Sequence, residues 1–119
     1  MMFFDSYAII EIINLNEKYL DFADEIIITN SLNLAEVYYA LLKITNKKTA
    51  DYFLEKLDIK LIEITKEISI DAAKFRFDNR KKKISFADAI GYITALNLNI
   101  KFLTGDKEFK DFENVEFVK

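Results

Sequence analysis

The chain has 119 residues, 51% hydrophobic and 14% aromatic, with 20 acidic against 17 basic residues for a net charge of −3. Size scaling lets a chain of this length bury about two-thirds of its unfolded surface, enough for one domain with its own core. It has no cysteine and no histidine, which excludes disulfide scaffolds, zinc–thiolate and Fe–S sites, His general bases, Ser-His-Asp triads and HExxH metalloproteases.

Catalysis is thereby confined to carboxylates, hydroxyls, lysines or a metal held by oxygen. A pI near 5.0 is wrong for a sequence-independent nucleic-acid wrapper, so contact with a polyanion must be local or metal-assisted. No stretch reaches the roughly 18 uninterrupted apolar residues of a membrane span. The start, Met1-Met2-Phe3-Phe4-Asp5, lacks the basic segment of a signal peptide. The expected location is the cytoplasm, with no membrane contact. Proline is absent and Gly91 and Gly105 are the only glycines, so boundaries come from polar clusters and changes of period.

In chain order, Met1 to Phe4 is a short apolar run ending at Asp5, and Ser6 to Ile13 reads as a helix with a further turn over Lys18 to Phe22. Glu25 to Thr29 is short and β-branched, which predicts a buried strand. Asn30 and Ser31 are N-cap candidates for a helix through Thr45, whose apolar stripe is Leu34, Val37, Tyr38 and Leu41. After an Asn46-Lys47-Lys48 turn, Lys48 to Leu57 reads as a helix and Ile59 to Ile64 as a strand. Lys66 to Arg80 is predicted helical with Ile70, Ala73 and Phe77 on its apolar side, and Ser85 to Leu98 is helical and apolar nearly all round. A strand over Ile100 to Thr104, a short helix over Lys107 to Phe112 and a strand over Val115 to Val118 complete the chain. Strands alternating with helices predict an α/β sandwich on a mostly parallel sheet, whose ligands bind beyond the carboxyl ends of the strands.

Four carboxylates are placed to converge on that edge of the sheet. Asp5 follows the first apolar run and reads equally as an N-cap or a site residue, since a capping carboxylate can still hold a metal. Glu36 projects from the polar side of its helix, just after the second strand, where a solvated surface glutamate is the competing reading. Asp88 completes a Ser85-Phe86-Ala87-Asp88 capping box but sits on a helix expected to be buried, where a carboxylate is expensive unless compensated. Asp106 follows the strand and the Thr104-Gly105 turn and also reads as an N-cap. Converging carboxylates raise each other's pKa unless neutralised, and an all-oxygen set suits Mg²⁺ or Mn²⁺.

Four stretches together carry a family resemblance: Phe3-Phe4-Asp5-Ser6, Leu34-Ala35-Glu36-Val37-Tyr38-Tyr39, Ser85-Phe86-Ala87-Asp88-Ala89-Ile90, and Phe102-Leu103-Thr104-Gly105-Asp106-Lys107-Glu108-Phe109. Over essentially the whole chain the sequence resembles a PIN-domain ribonuclease, in particular the toxins of VapBC-type toxin–antitoxin modules. The resemblance implies one PIN-like domain over residues 1–119, a three-layer α/β/α sandwich. It implies an endoribonuclease dependent on Mg²⁺ or Mn²⁺ held by Asp5, Glu36, Asp88 and Asp106, with Ser6 and Thr104 as supporting hydroxyls. RNA, a cognate antitoxin and a second copy of the chain are the implied partners. Asp111 stands where relatives often have a small residue.

Arg80-Lys81-Lys82-Lys83, with Arg76 one turn earlier, is the densest positive run. It reads either as a solvated loop or as a phosphate clamp beside the acidic pocket, which Lys43, Lys47, Lys48, Lys107 and Lys110 would extend. Tyr38, Tyr39 and Tyr92 read as packing residues rather than base-stacking platforms. Two alternatives stand beside the nuclease: a non-catalytic PIN-like interaction module in which the carboxylates only cap helices, and a phosphatase or phosphoacceptor domain using the same pocket. Against the latter, Asp5-Ser6-Tyr7 lacks the Asp-x-Asp of a haloacid-dehalogenase-type phosphatase, and Ile59 to Ile64 is not followed by a phosphoacceptor aspartate.

Overall fold

The computed structural model describes residues 1–119. The β-branched and aromatic runs form five short strands, β1 (Met2–Phe4), β2 (Ile27–Thr29), β3 (Ile59–Leu61), β4 (Lys101–Thr104) and β5 (Val115–Phe117). All neighbours pair in parallel, in the order β3-β2-β1-β4-β5. Parallel neighbours need long crossovers, and these cover both faces of the sheet. The crossovers supply α1 (Ser6–Ile13), α2 (Ser31–Ile44), α3 (Lys47–Lys56), α4 (Lys66–Asp78) and α5 (Phe86–Leu98), with 3₁₀ turns at Glu17–Phe22 and Lys107–Phe109.

Successive strand residues point to opposite faces, so each central strand feeds two cores. Phe3, Ile28 and Phe102 pack with Ile68 and Ala72 of α4 and Ala89, Tyr92 and Ile93 of α5. Phe4, Ile27 and Leu103 pack with Ala8 and Ile9 of α1, Val37 and Leu41 of α2 and Ala50 of α3. The result is the expected three-layer α/β/α sandwich. No helix is long and apolar enough to cross a membrane.

In place of glycine and proline, each helix starts on a side-chain cap. Asp5, Asn30, Asn46, Thr65 and Ser85 accept hydrogen bonds from the backbone N–H groups of Ala8, Asn33, Thr49, Ile68 and Asp88, each satisfying a donor with no partner inside its helix.

Several expectations need correction. The inner face of α4 is Ile68 and Ala72, with Phe75 half-buried, whereas Ile70 and Phe77 are exposed. Helical spacing gives two apolar stripes there, and docking against α5 and the sheet selected the other one. Strand β3 ends at Leu61 rather than Ile64: its partner β2 stops at Thr29, where Asn30 turns into α2, and the ladder's last bond runs from the Ile62 N–H to the Thr29 carbonyl at 2.8 Å. The Lys107–Phe112 helix is a single 3₁₀ turn over Lys107–Phe109. Tyr39 is not a packing residue; it is exposed, with Lys43 Nζ 4.9 Å above its ring.

Gly91 sits where α5 crosses the centre of the sheet. A Cβ there would lie 2.8 Å from Phe3 Cε1 and 3.1 Å from Phe102 Cε1, and both rings are fully buried. Alanine gains up to about 1 kcal/mol of helix propensity, but overpacking costs about 1–3 kcal/mol. Gly91→Ala is therefore expected to lower the urea midpoint; an unchanged or raised midpoint would show that the rings yield.

Candidate active site

The chain runs from β1 outward to β2 and β3, then returns to place β4 on the other side of β1. The carboxyl ends of β1 and β4 thus flank a topological switch point, where crossovers leave in opposite directions and a crevice opens. Asp5 follows one strand and Gly105-Asp106 the other. A cavity of about 550 Å³ opens here, lined by Asp5, Tyr7, Asp88, Gly105, Asp106, Lys107 and Lys119.

Asp5 is 2% exposed. Its Oδ1 accepts the Ala8 N–H at 2.8 Å, capping α1. Burial pushes its carboxyl from 3.8 up to about 7. Hydrogen bonds to Thr104 and the Ala8 N–H oppose the rise, and the charges of Asp88 and Asp106 add to it. Asp88, in the first turn of α5, is also raised, first by burial and then by the charges of Asp106 and Glu36, against hydrogen bonds to Ser85. Asp106 caps the 3₁₀ turn, its Oδ1 accepting the Glu108 N–H at 2.9 Å, while its own N–H donates to Thr104 Oγ1 at 3.0 Å. Thr104, fully buried, therefore links the two aspartates. The turn between them lies flat on Tyr7, since a Cβ on Gly105 would fall 2.2 Å from Tyr7 Cε1.

Glu36 stands outside the cavity lining, exposed on α2 but close enough for its charge to reach Asp88. Ser6 Oγ lies 2.6 Å from Glu36 Oε1 and 2.8 Å from Asn33 Oδ1. Asn33 is fully buried, and its Nδ2 donates at 3.1 Å to Asn30 Oδ1, the oxygen that caps α2 by accepting the Asn33 N–H at 2.8 Å. Asn30 Nδ2 is buried without a partner. Sequence reasoning missed Asn33; its signal was an amide in line with Val37 and Leu41, where the stripe calls for hydrocarbon. Tyr7 and Lys119 were missed as well, and no sequence pattern marked them.

The structure thus brings Asp5, Asp88 and Asp106 into one cavity with Thr104 beneath, and leaves Glu36 at the side, held by Ser6. No three acidic side chains form a closed ligating cluster as they stand. Asp111 is exposed and lines no cavity. Of the basic run, Arg76, Arg80 and Lys82 line a separate cavity. Lys81 lines a hollow at the end of α4 with Arg80 and Lys82, and Lys83 lines neither. Lys107 lines the acidic cavity, whereas Lys47 is paired with Asp51 at 2.6 Å.

The Asp5 carboxyl has a stability signature in metal-free protein. Between its ordinary 3.8 and its folded value of about 7, the folded state keeps a proton that the unfolded chain has released. Stability is therefore lost as pH rises through that window and levels off above it. Asparagine caps as well as aspartate but does not titrate. In EDTA, wild type is expected to melt several degrees lower at pH 8 than at pH 5 relative to Asp5→Asn; parallel melting temperatures for the two proteins would refute the buried-proton assignment.

Residues 2–115 match the family model described as PIN domain. Comparison with curated proteins finds no match. Among solved structures, the chain is similar to Mycobacterium tuberculosis VapC20, a sarcin–ricin-loop-cleaving toxin, with 14% identity, TM-score 0.78 and 100% of each chain covered. It is similar to VapBC2 from Rickettsia felis bound to a promoter DNA fragment, with 17% identity, TM-score 0.76 and coverage of 99% of this chain and 98% of that one. A toxin–antitoxin complex from Klebsiella pneumoniae shares 18% identity at TM-score 0.76, over 98% of this chain and 96% of that one. At these identities the structural likeness speaks for the fold, and the family model, spanning nearly the whole chain, assigns the sequence: the chain belongs to the PIN domain family.

Proposed function

We propose that this chain is a metal-dependent endoribonuclease, the cytoplasmic toxin of a toxin–antitoxin pair, acting on RNA phosphodiesters. The observation that carries the reading is the convergence of Asp5, Asp88 and Asp106 on one cavity at the switch point, with a buried Asp5 carboxyl. Three carboxylates facing one space repel one another, and pure helix capping gives no reason to gather them. The donor set is oxygen only, which fits Mg²⁺ or Mn²⁺. Asp5, Asp88 and Asp106 would hold the cation, joined by Glu36. A bound divalent cation supplies Lewis acidity toward a phosphoryl oxygen and acidifies water.

The chain's own residues do the rest. Thr104 orients Asp5 and Asp106 together, Ser6 holds Glu36, and Lys107 and Lys119 offer positive charge at the cavity for the RNA backbone. Arg76, Arg80 and Lys81 to Lys83 serve affinity rather than chemistry, because backbone phosphates dominate binding to nucleic acids. A cognate antitoxin finds support in α2: Leu32, Ala35, Tyr39 and Leu42 are exposed at the alternating three- and four-residue spacing that seats one helix against another, and Ala35 adjoins Glu36. Homodimerisation belongs to the same reading.

The purified protein is expected to cleave RNA in Mg²⁺ or Mn²⁺ and to be inactive in EDTA. Asp106→Asn is expected to reduce cleavage at least a hundredfold and to shrink the rise in melting temperature on adding Mn²⁺, since a ligand stabilises only through its affinity for the folded state. Wild-type cleavage together with an undiminished thermal shift in that variant would sink the catalytic reading and leave Asp106 a cap.

A further inference from the structure

A second cavity, of about 290 Å³, opens between α4 and the start of α5, lined by Ala73, Arg76, Phe77, Arg80, Lys82 and Phe86. Ala73, Arg76 and Phe77 share one face of α4, turned away from the core, and Arg80 follows in the turn that ends the helix. Two phenylalanines lie open on it, Phe77 at 64% exposure and Phe86 at 53%. Each carries a guanidinium over its ring, Arg80 above Phe77 and Arg76 above Phe86, both with Cζ 4.4 Å from the ring centroid. The guanidiniums are anchored: Arg76 Nε donates to the Ile84 carbonyl at 2.8 Å, and Arg80 Nη1 to the Phe77 carbonyl at 3.0 Å. No carboxylate neutralises them, because the molecule's single ion pair is Lys47–Asp51. In a chain of net charge −3, exposed aromatic surface and unpaired positive charge are concentrated in one hollow.

A ligand that relieves both conditions is flat, aromatic and anionic. We infer that this cavity is a nucleotide subsite taking an unpaired base of RNA, stacked on the exposed Phe77–Arg80 and Phe86–Arg76 pairs, with the adjoining phosphates on Arg80 and Lys82. The inference rests on the ribonuclease reading and deepens it, by adding recognition of single-stranded segments to a site whose other contacts are electrostatic. Bases stack on aromatic rings and on guanidinium planes whatever their sequence. In a duplex those faces are covered, and only the phosphates remain to be bound. Phe86 and Asp88 occupy the same first turn of α5, so the subsite and the acidic cavity meet at one helix end, within reach of one RNA strand.

The test is fluorescence anisotropy in EDTA, where no cleavage is expected, with a labelled mixed-sequence 12-nucleotide single-stranded RNA and the same sequence as a duplex. Phe77 is exposed, so Phe77→Ala should fold; Phe77→Trp restores the flat surface. Phe77→Ala is expected to weaken single-strand binding about tenfold, with duplex binding and the salt slope unchanged, and Phe77→Trp to restore it. Arg80→Gln is expected to weaken both RNAs and flatten the salt slope. Wild-type binding of both RNAs with no selective loss in Phe77→Ala would overturn the subsite while leaving the ribonuclease reading in place. Wild type that neither binds nor cleaves RNA would overturn both. A Phe77→Ala protein with unchanged RNA affinity but altered sedimentation would identify the patch as a contact between copies of the chain instead.

Discussion

The burial of β1 governs this molecule. As the middle strand of an all-parallel sheet, it has strands on both edges and helices on both faces, so Phe3 and Phe4 are fully enclosed in opposite cores. The residue that ends such a strand cannot escape to solvent within one step. Asp5 is that residue, and its low exposure and raised pKa follow from strand position more than from any feature of its own side chain. The capping bond to Ala8 makes the burial tolerable without removing its electrostatic cost.

The same topology determines which other residues matter. Strand β4 is the only neighbour of β1 on the return side, so the turn after β4 must meet the start of α1. Gly105 lets that turn lie on Tyr7, and Thr104 spends its hydroxyl on both aspartates. Helix α5 packs against β1 and β4 through Gly91, which directs its first turn and Asp88 toward the same opening. Three carboxylates far apart in sequence are therefore neighbours because one strand pair is central and one helix crosses it closely.

Much of this was legible in the sequence where the signal was local. Cap residues before α1, α2 and α5, short β-branched runs, and a carboxylate after each of the two strands that prove central all mark their places without tertiary information. What misled was choice among equivalent local options. Helix α4 carries two apolar stripes, and periodicity has no means of preferring Ile68 and Ala72 over Ile70 and Phe77; contact with α5 decides it. The length of β3 depends on where β2 stops. The amide of Asn33 stands out in its apolar stripe, but its role does not, because its partners, Ser6 and Asn30, lie outside α2, and Tyr7 shows its importance only against Gly105. Position on a strand end can be read from sequence, whereas the partners of a buried polar group require the fold.

Ser6 has one hydroxyl proton and two close side-chain acceptors, Asn33 Oδ1 and Glu36 Oε1, with the Asn33 carbonyl farther off at 3.4 Å. The Asn33 amide cannot turn to resolve the competition, because its Nδ2 is committed to the Asn30 oxygen that caps α2. Glu36 is therefore moored by an exchangeable bond: were it drawn away, the Ser6 proton would fall back on Asn33 and that hydroxyl would not be orphaned. The fourth carboxylate hangs on a bracket, and the bracket is the same hydrogen-bond chain that starts the helix carrying it.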